Sequence, residues 1–406
     1  MNHIFKRIQF DDLTKFTFFS SMCLMLFAHL FCFTNLMYSH DSLGFSETSG
    51  SIKIGLGRWL YPLFLNYRST ATPFFIGIIS SIFVSIAVIL TVKLLEFNKT
   101  QAIIVAAIFT TNVTLISLFC TYIFDADADC MAILLACLAV YSKERLPKGL
   151  NYFVAILCLI GCMALYQTYI CLSAGLFIFV LLKKSYNITD FKSFFHIFLD
   201  GISDIATLGI GAAFYYISMH IASKVFNVPL LGGYNGPQSA TGITFKEILK
   251  AIPSAYKYVF KTFFDVTGYN LNYIAFINTI LFIIIFFELI LLICRYRKHP
   301  LSTVITIICI ILFPLSINAF YLISRGTMHQ LMIFAFNLVY ILPVLLYKLI
   351  IEDMSFATNT NIIVKTINNG IAIILLSAYL IITMNNLIYS NGAYTYKKLV
   401  YDCRFR

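Results

Sequence analysis

Apolar stretches of about 20 residues recur from one end of this chain to the other, separated by short polar turns. As a helix, each is long enough to cross a hydrocarbon core of about 30 Å. Inside that medium every backbone N–H and C=O needs a partner within the protein, so continuous apolar runs of this length imply helices. Residue usage agrees: 60% of the 406 residues are hydrophobic and only 12% are charged. Soluble domains carry roughly a quarter charged residues, and one water-soluble core of this size would not enclose so much apolar surface.

Helices are expected at about 15–37, 72–94, 102–122, 130–142, 150–166, 169–182, 205–222, 270–294, 301–322 and 331–350, with an eleventh ending near 386. The fold class is therefore all-α: a polytopic integral membrane protein of about eleven transmembrane helices. The whole chain, 1–406, reads as one transmembrane domain without a separate soluble one. The first run follows Lys6, Arg7 and Lys15 and exceeds a signal-peptide core in length, so it is expected to be a start-transfer helix. Segment 190–204, DFKSFFHIFLDGISD, suits an interfacial amphipathic helix with Asp200 and Asp204 on one face. In 223–269, LLGGYNGPQSATG holds enough Gly, Pro and Asn to disfavour regular helix.

The placement of charge gives an orientation. Lys and Arg recur in the turns 93–100, 143–149, 183–192, 295–299 and 348–365, whereas 123–129 and 166–168 carry none and 323–330 only Arg325. By the positive-inside rule the N-terminus is cytoplasmic and the C-terminus outside. The expected location is the bacterial cytoplasmic (inner) membrane. The outer side then receives 38–70, the acidic stretch 123–129, the longer segment 223–269 and the short tail 387–406. The net charge of +11 follows helix ends, so nucleic acid is not an expected partner. Eleven cysteines are scattered without CxxC spacing and read as small buried hydrophobes.

Several outer residues suit chemistry. His40 and Asp41 lie just beyond the first helix, where lowered dielectric raises a carboxylate's pKa toward that of a usable base; an ordinary solvated acid is the plain alternative. In FDADAD, Asp125, Asp127 and Asp129 fall within five residues, in what reads as a short loop. Three such charges repel unless a cation, an arginine or a polar substrate compensates them. The DxDxD spacing resembles a Ca²⁺-loop opening without the Gly and Glu that should follow. Arg58 precedes Trp59, the sole tryptophan, in GLGRWLYP. There Trp59 and Tyr61 are expected at headgroup level, and Arg58 suits either a phosphate or a lipid headgroup. Arg325 is a second such cation. Tyr166 and Gln167, at a hairpin tip, could stack on and hydrogen-bond a sugar, or simply form a polar turn.

Together HD after the first helix, GRWLYP, FDADAD after the third and LYQTYI in the next hairpin resemble one family. These are the bacterial serotype-converting O-antigen glucosyltransferases, which accompany a lipid-linked glucose flippase and a donor synthase. That family in turn resembles the GT-C membrane glycosyltransferases. The resemblance implies a polyprenyl-phosphate glucose donor, an O-antigen (lipopolysaccharide) or lipid-linked polysaccharide acceptor, inverting transfer and an active site facing the periplasm. It further implies Asp41 as general base, with Asp125 and Asp127 orienting acceptor, donor or a cation. Arg58 and Arg325 would neutralise the donor phosphate. His40, Trp59, Asp129, Tyr166 and Gln167 would complete the substrate site. A divalent cation, Mg²⁺ or Mn²⁺, would fall to Asp125 and Asp127. The sequence departs from the pattern in having Ser42, not an acid, after Asp41, and a tail of about twenty residues where relatives have more. Two alternatives are a polysaccharide polymerase, which should carry arginine-rich outer loops, and a lipid-linked sugar flippase, which should carry polar groups at midplane. The chain has few of either.

Overall fold

The computed structural model describes residues 11–35, 50–67, 72–186, 188, 190–232, 236–240, 242–264, 272–296, 299–324, 326 and 328–351. Among the described residues every regular element is helical. In chain order these are α1 (Asp12–Thr34), two short helices α2 (Gly50–Gly55) and α3 (Tyr61–Tyr67), and α4 (Pro73–Leu95). Then come α5 (Lys99–Thr110), α6 (Val113–Thr121), α7 (Ala126–Arg145), α8 (Leu150–Leu165), α9 (Ile170–Lys184) and α10 (Phe191–Val225). The series closes with α11 (Phe245–Phe264), α12 (Asn272–Arg295), α13 (Pro300–Ile317) and α14 (Leu338–Ile351).

Seven helices among the described residues are long and apolar enough to cross a membrane, or eight if α5 and α6 form one bent span. The helix α7 is outside that set because its ends are charged, and α8 because it has 16 residues. The expected eleventh helix lies outside the described residues.

Three boundaries differ from the expectation. The third helix is broken at Thr111–Asn112, with α5 and α6 bent by 41°. Asn112 causes the break by capping α6: its side chain accepts from Leu115 N at 3.0 Å and donates back to Phe109 O at 2.8 Å. The proposed interfacial helix and the seventh span are one continuous helix, α10, of 35 residues. Of the two acids on that face, Asp200 stays half exposed while Asp204 is buried. Asp204 pairs with Lys143, both buried, and Asp200 with Lys184 at 2.9 Å, so packing on α7 and α9 accommodates the acids. Segment 223–269 is not wholly irregular either, since α11 begins as soon as the Gly-rich stretch ends.

The central element is α7, which packs on α4, α8 and α9. Ala126, Ala128, Ala132, Ala136 and Ala139 are fully buried along it, and such small side chains let neighbouring backbones approach closely. Its last turn holds Lys143 and Arg145, which complement the helix dipole. There the basic turns converge on Glu96, the left-handed C-cap of α4. Glu96 binds Arg145 and Lys183, each at 2.8 Å, while Lys348 donates to Leu95 O at 2.7 Å and Glu96 O at 2.8 Å. Four helices are thus tied at one end.

The hydrogen bond from Lys183, joined by Arg145, outweighs burial and holds the Glu96 carboxyl down at about 2. A depressed carboxylate pKa adds stability above the ordinary glutamate value and loses it as pH falls toward 2. The melting temperature of the purified protein should therefore drop between pH 4.5 and 2, and Glu96→Gln should flatten that acid limb. Because the group is half exposed, the loss at neutral pH should be only about 0.5–1 kcal/mol. Melting curves followed by circular dichroism across this pH range check both.

Candidate active site

The acids of FDADAD lie where α7 begins, about 30 Å of helix away from its basic last turn. They are not in a loop as expected. Only Asp125 precedes the helix, in a 3-10 turn over Ile123–Asp125, whereas Asp127 and Asp129 form the first helical turn. The positive end of the helix dipole favours negative charge there, which explains why acids are tolerated in place of Ser or Asn. Asp127 is fully buried, and its Oδ1 accepts from Ala128 N at 2.9 Å.

Residues 50–67, the described part of the segment after α1, fold over these acids. Lys53, in α2, forms an ion pair with Asp125 Oδ2, and the Tyr61 hydroxyl, at the start of α3, donates to Asp125 Oδ1. Tyr61 is therefore buried against the carboxylate. Burial works against the charge of Asp125, yet Lys53, Tyr61 and Arg58 hold its carboxyl below the ordinary aspartate range. Both of its oxygens are engaged.

Between α2 and α3 the chain turns at Gly57, with φ +82°. A Cβ there would lie 2.6 Å from the Tyr215 hydroxyl, so both backbone and space require glycine. Gln167 fixes the same turn. Its Nε2 donates to Leu56 O at 2.7 Å and to the Tyr215 hydroxyl at 2.9 Å, and Tyr215 donates to Gly57 O at 3.1 Å. The amide nitrogen of Gln167 is thus taken up in positioning Arg58.

The Arg58 guanidinium stacks over the Tyr166 ring at 4.1 Å, and Tyr166 lies 5.3 Å from the Tyr169 ring, centroid to centroid. Burial opposes the Arg58 charge, but the surrounding Tyr166, Asp129 and Asp125 favour it, so its pKa is raised. Around this stack several buried polar atoms have no hydrogen-bond partner among the described residues: Arg58 Nε, Trp59 Nε1, Asp129 Oδ1 and the Tyr169 hydroxyl. Buried donors and acceptors are rarely left unmade, and each such atom carries a desolvation cost of about 1–3 kcal/mol. Two donors and an acceptor on Arg58, Trp59 and Asp129 suit a ligand bearing both an anion and hydroxyls. Trp59 itself packs toward Tyr215 and Met219.

The structure therefore brings Arg58, Trp59, Asp125, Asp127, Asp129, Tyr166 and Gln167 to one end of the bundle. His40, Asp41 and Arg325 lie outside the described residues. Sequence reasoning missed Lys53, Tyr61 as a partner of Asp125, and Tyr169. Lys53 carried a usable signal, since it is a cation in a segment opposite the basic turns, the same oddity that singled out Arg58. Lys53 occupies one oxygen of Asp125 and Tyr61 the other, which leaves that carboxylate no open oxygen for a divalent cation. Among the described residues no three His, Cys, Asp or Glu side chains are grouped to hold a metal.

Fold and site define a polytopic helical membrane protein with a buried cation–carboxylate cluster at one end. The model of a family described as Glucosyl transferase GtrII matches residues 30–348, most of the chain and all of this cluster. The protein belongs to that family and is a glycosyltransferase, acting on a sugar donor and an acceptor. Comparison with curated proteins and with solved structures returns no match.

Removing one partner of a buried ion pair leaves the other charge uncompensated, at about 3–5 kcal/mol for a fully buried pair. Lys53→Met and Asp125→Asn should each lower stability by about 3 kcal/mol, and the double variant by clearly less than the sum. Thermal or denaturant unfolding of the three variants in the same detergent checks this.

Proposed function

We propose that the protein transfers a glucosyl group from a polyprenyl-phosphate donor to a sugar hydroxyl of O-antigen or a related surface polysaccharide, on the periplasmic face of the inner membrane. The observation that carries this reading is the stacked, buried Arg58 beside the unpartnered oxygen of Asp129, in a chain of the glucosyl transferase GtrII family. The basic turns gathered at the opposite end support the sidedness, by the positive-inside rule.

In inverting transfer an acceptor hydroxyl attacks the anomeric carbon of glucose as its bond to the phosphate oxygen breaks. Polyprenyl phosphate leaves with the bonding electrons, and the hydroxyl proton passes to a carboxylate. Arg58 faces the growing charge on the leaving phosphate, and its fixed stacking on Tyr166 means little reorganisation is needed as that charge develops. Asp129 supplies a carboxylate oxygen free to accept an acceptor hydroxyl or its proton. Asp41 is the second candidate base. Asp125 and Asp127 set the local charge and hold the outer segment and helix start in place. The reading requires no divalent cation. Arg325 remains a proposed second phosphate contact, and His40 a proposed substrate contact.

The test is transfer of labelled glucose from polyprenyl-phosphate glucose to lipid-linked oligosaccharide by the purified protein. Arg58→Gln should reduce kcat by about 100-fold or more, the scale for loss of one preorganised electrostatic contact. Of Asp129→Asn and Asp41→Asn, the base is the one whose kcat collapses while donor KM stays within about twofold. Chelation should leave the rate unchanged. Full activity in Arg58→Gln, or in both aspartate variants, would overturn the assignment.

A further inference from the structure

The long outer segment contains an element that the glycosyl-transfer chemistry does not use. Through Ala255, Val259 and Phe263, α11 is buried against the bundle. It is fastened by Asn318 Nδ2 donating to Ala255 O at 2.9 Å and by the Tyr256 hydroxyl donating to Ile311 O at 2.6 Å. At about 100° per residue, Lys246, Lys250, Lys257 and Lys261 fall within about 60° of one another on its circumference. All four are exposed. Lys246, Lys250 and Lys257 reach no carboxylate among the described residues. Beside this stripe Phe245, Leu249 and Phe260 are exposed at 74%, 49% and 44%.

The position of α11 ties it to the acid end of the molecule. Its Phe263 ring stacks on Phe336 at 6.1 Å, and the same 3-10 turn, Gln330–Asn337, places Phe334 5.9 Å from Tyr169. One turn of chain thus separates α11 from the candidate active site. With 20 residues, four lysines and an internal Pro253, α11 is not itself a span.

A helix with an exposed apolar strip beside a row of exposed lysines is built to lie in a membrane interface. We propose that α11 lies in the interface on the acid side, seating Phe245, Leu249 and Phe260 among acyl chains and its lysine row on the phosphates of anionic phospholipids. Charge complementarity selects the occupant. A zwitterionic headgroup offers no net charge to the row, and a protein partner would leave the apolar strip facing lipid. The consequence is a helix that holds the outer segment at a fixed depth next to the site.

The test uses the full-length protein in lipid nanodiscs of phosphatidylcholine alone or mixed with phosphatidylglycerol, read by hydrogen exchange over residues 245–264. The expected result is slower exchange with phosphatidylglycerol, an effect removed by high salt. Each lysine at an anionic surface contributes about a fivefold preference. A Lys246→Gln, Lys250→Gln, Lys257→Gln variant should therefore lose roughly a hundredfold of it, while Lys→Arg at the same positions retains it. Equal exchange in the two lipids would overturn the proposal. So would protection appearing in phosphatidylcholine only when polyprenyl-phosphate glucose is added, because the row would then serve substrate and not the bilayer. Exchange in α12 serves as the folding control.

Discussion

The contact between Asp125 and its two partners, Lys53 and Tyr61, is what gives the acid end its shape. Carboxylates crowded at a helix start would repel one another if left alone, however much the helix dipole helps. Lys53 answers that repulsion from a segment more than 70 residues earlier in the chain, and in doing so fastens α2 and α3 over the start of α7. Arg58 sits in the turn between those two short helices, so its position follows from the same pairing. Gln167 and Tyr215 lock the turn from the other side. The candidate site is thus a consequence of charge compensation, and its unpartnered atoms are those which compensation leaves over.

At its other end α7 meets a different solution to the same problem. Glu96, Glu144, Asp200 and Asp204 are each matched to Lys or Arg from neighbouring helices, and Lys348 fills the carbonyls at the end of α4. One helix therefore spans from an acid-rich turn to a base-rich one, with a small-residue surface between them that lets α4, α8 and α9 close around it. This arrangement gives the bundle polarity along its axis without a midplane charge on α7.

Much of this was legible in the sequence because hydrophobic runs report directly on helices. The span at 72–94 falls within a residue of α4, and GLGRWLYP, FDADAD and LYQTYI do meet in space. What escaped had no local signature. Lys53 pairs across a long sequence separation, and nothing near it shows that its partner will be Asp125. Asp127 and Asp129 read as loop residues because acids look like polar breaks, although the first turn of a helix is where they are favoured. The continuity of α10 was hidden in the same way, since Asp204 looks exposed until Lys143 is brought to it. In α11 the lysines share one side only once the segment is wound into a helix, which its flanking Gly-rich stretch does not announce.

The central claim is that the stacked Arg58 forms the phosphate-facing wall of a sugar-donor site. Donor affinity tests it without relying on turnover. Equilibrium binding of polyprenyl-phosphate glucose to the purified protein should weaken by at least about tenfold in Arg58→Gln, a loss of about 1.4 kcal/mol or more. Arg58→Lys, which keeps the charge but not the planar stack, should fall in between. An unchanged Kd in Arg58→Gln, in a protein that still melts like the parent, would contradict the account.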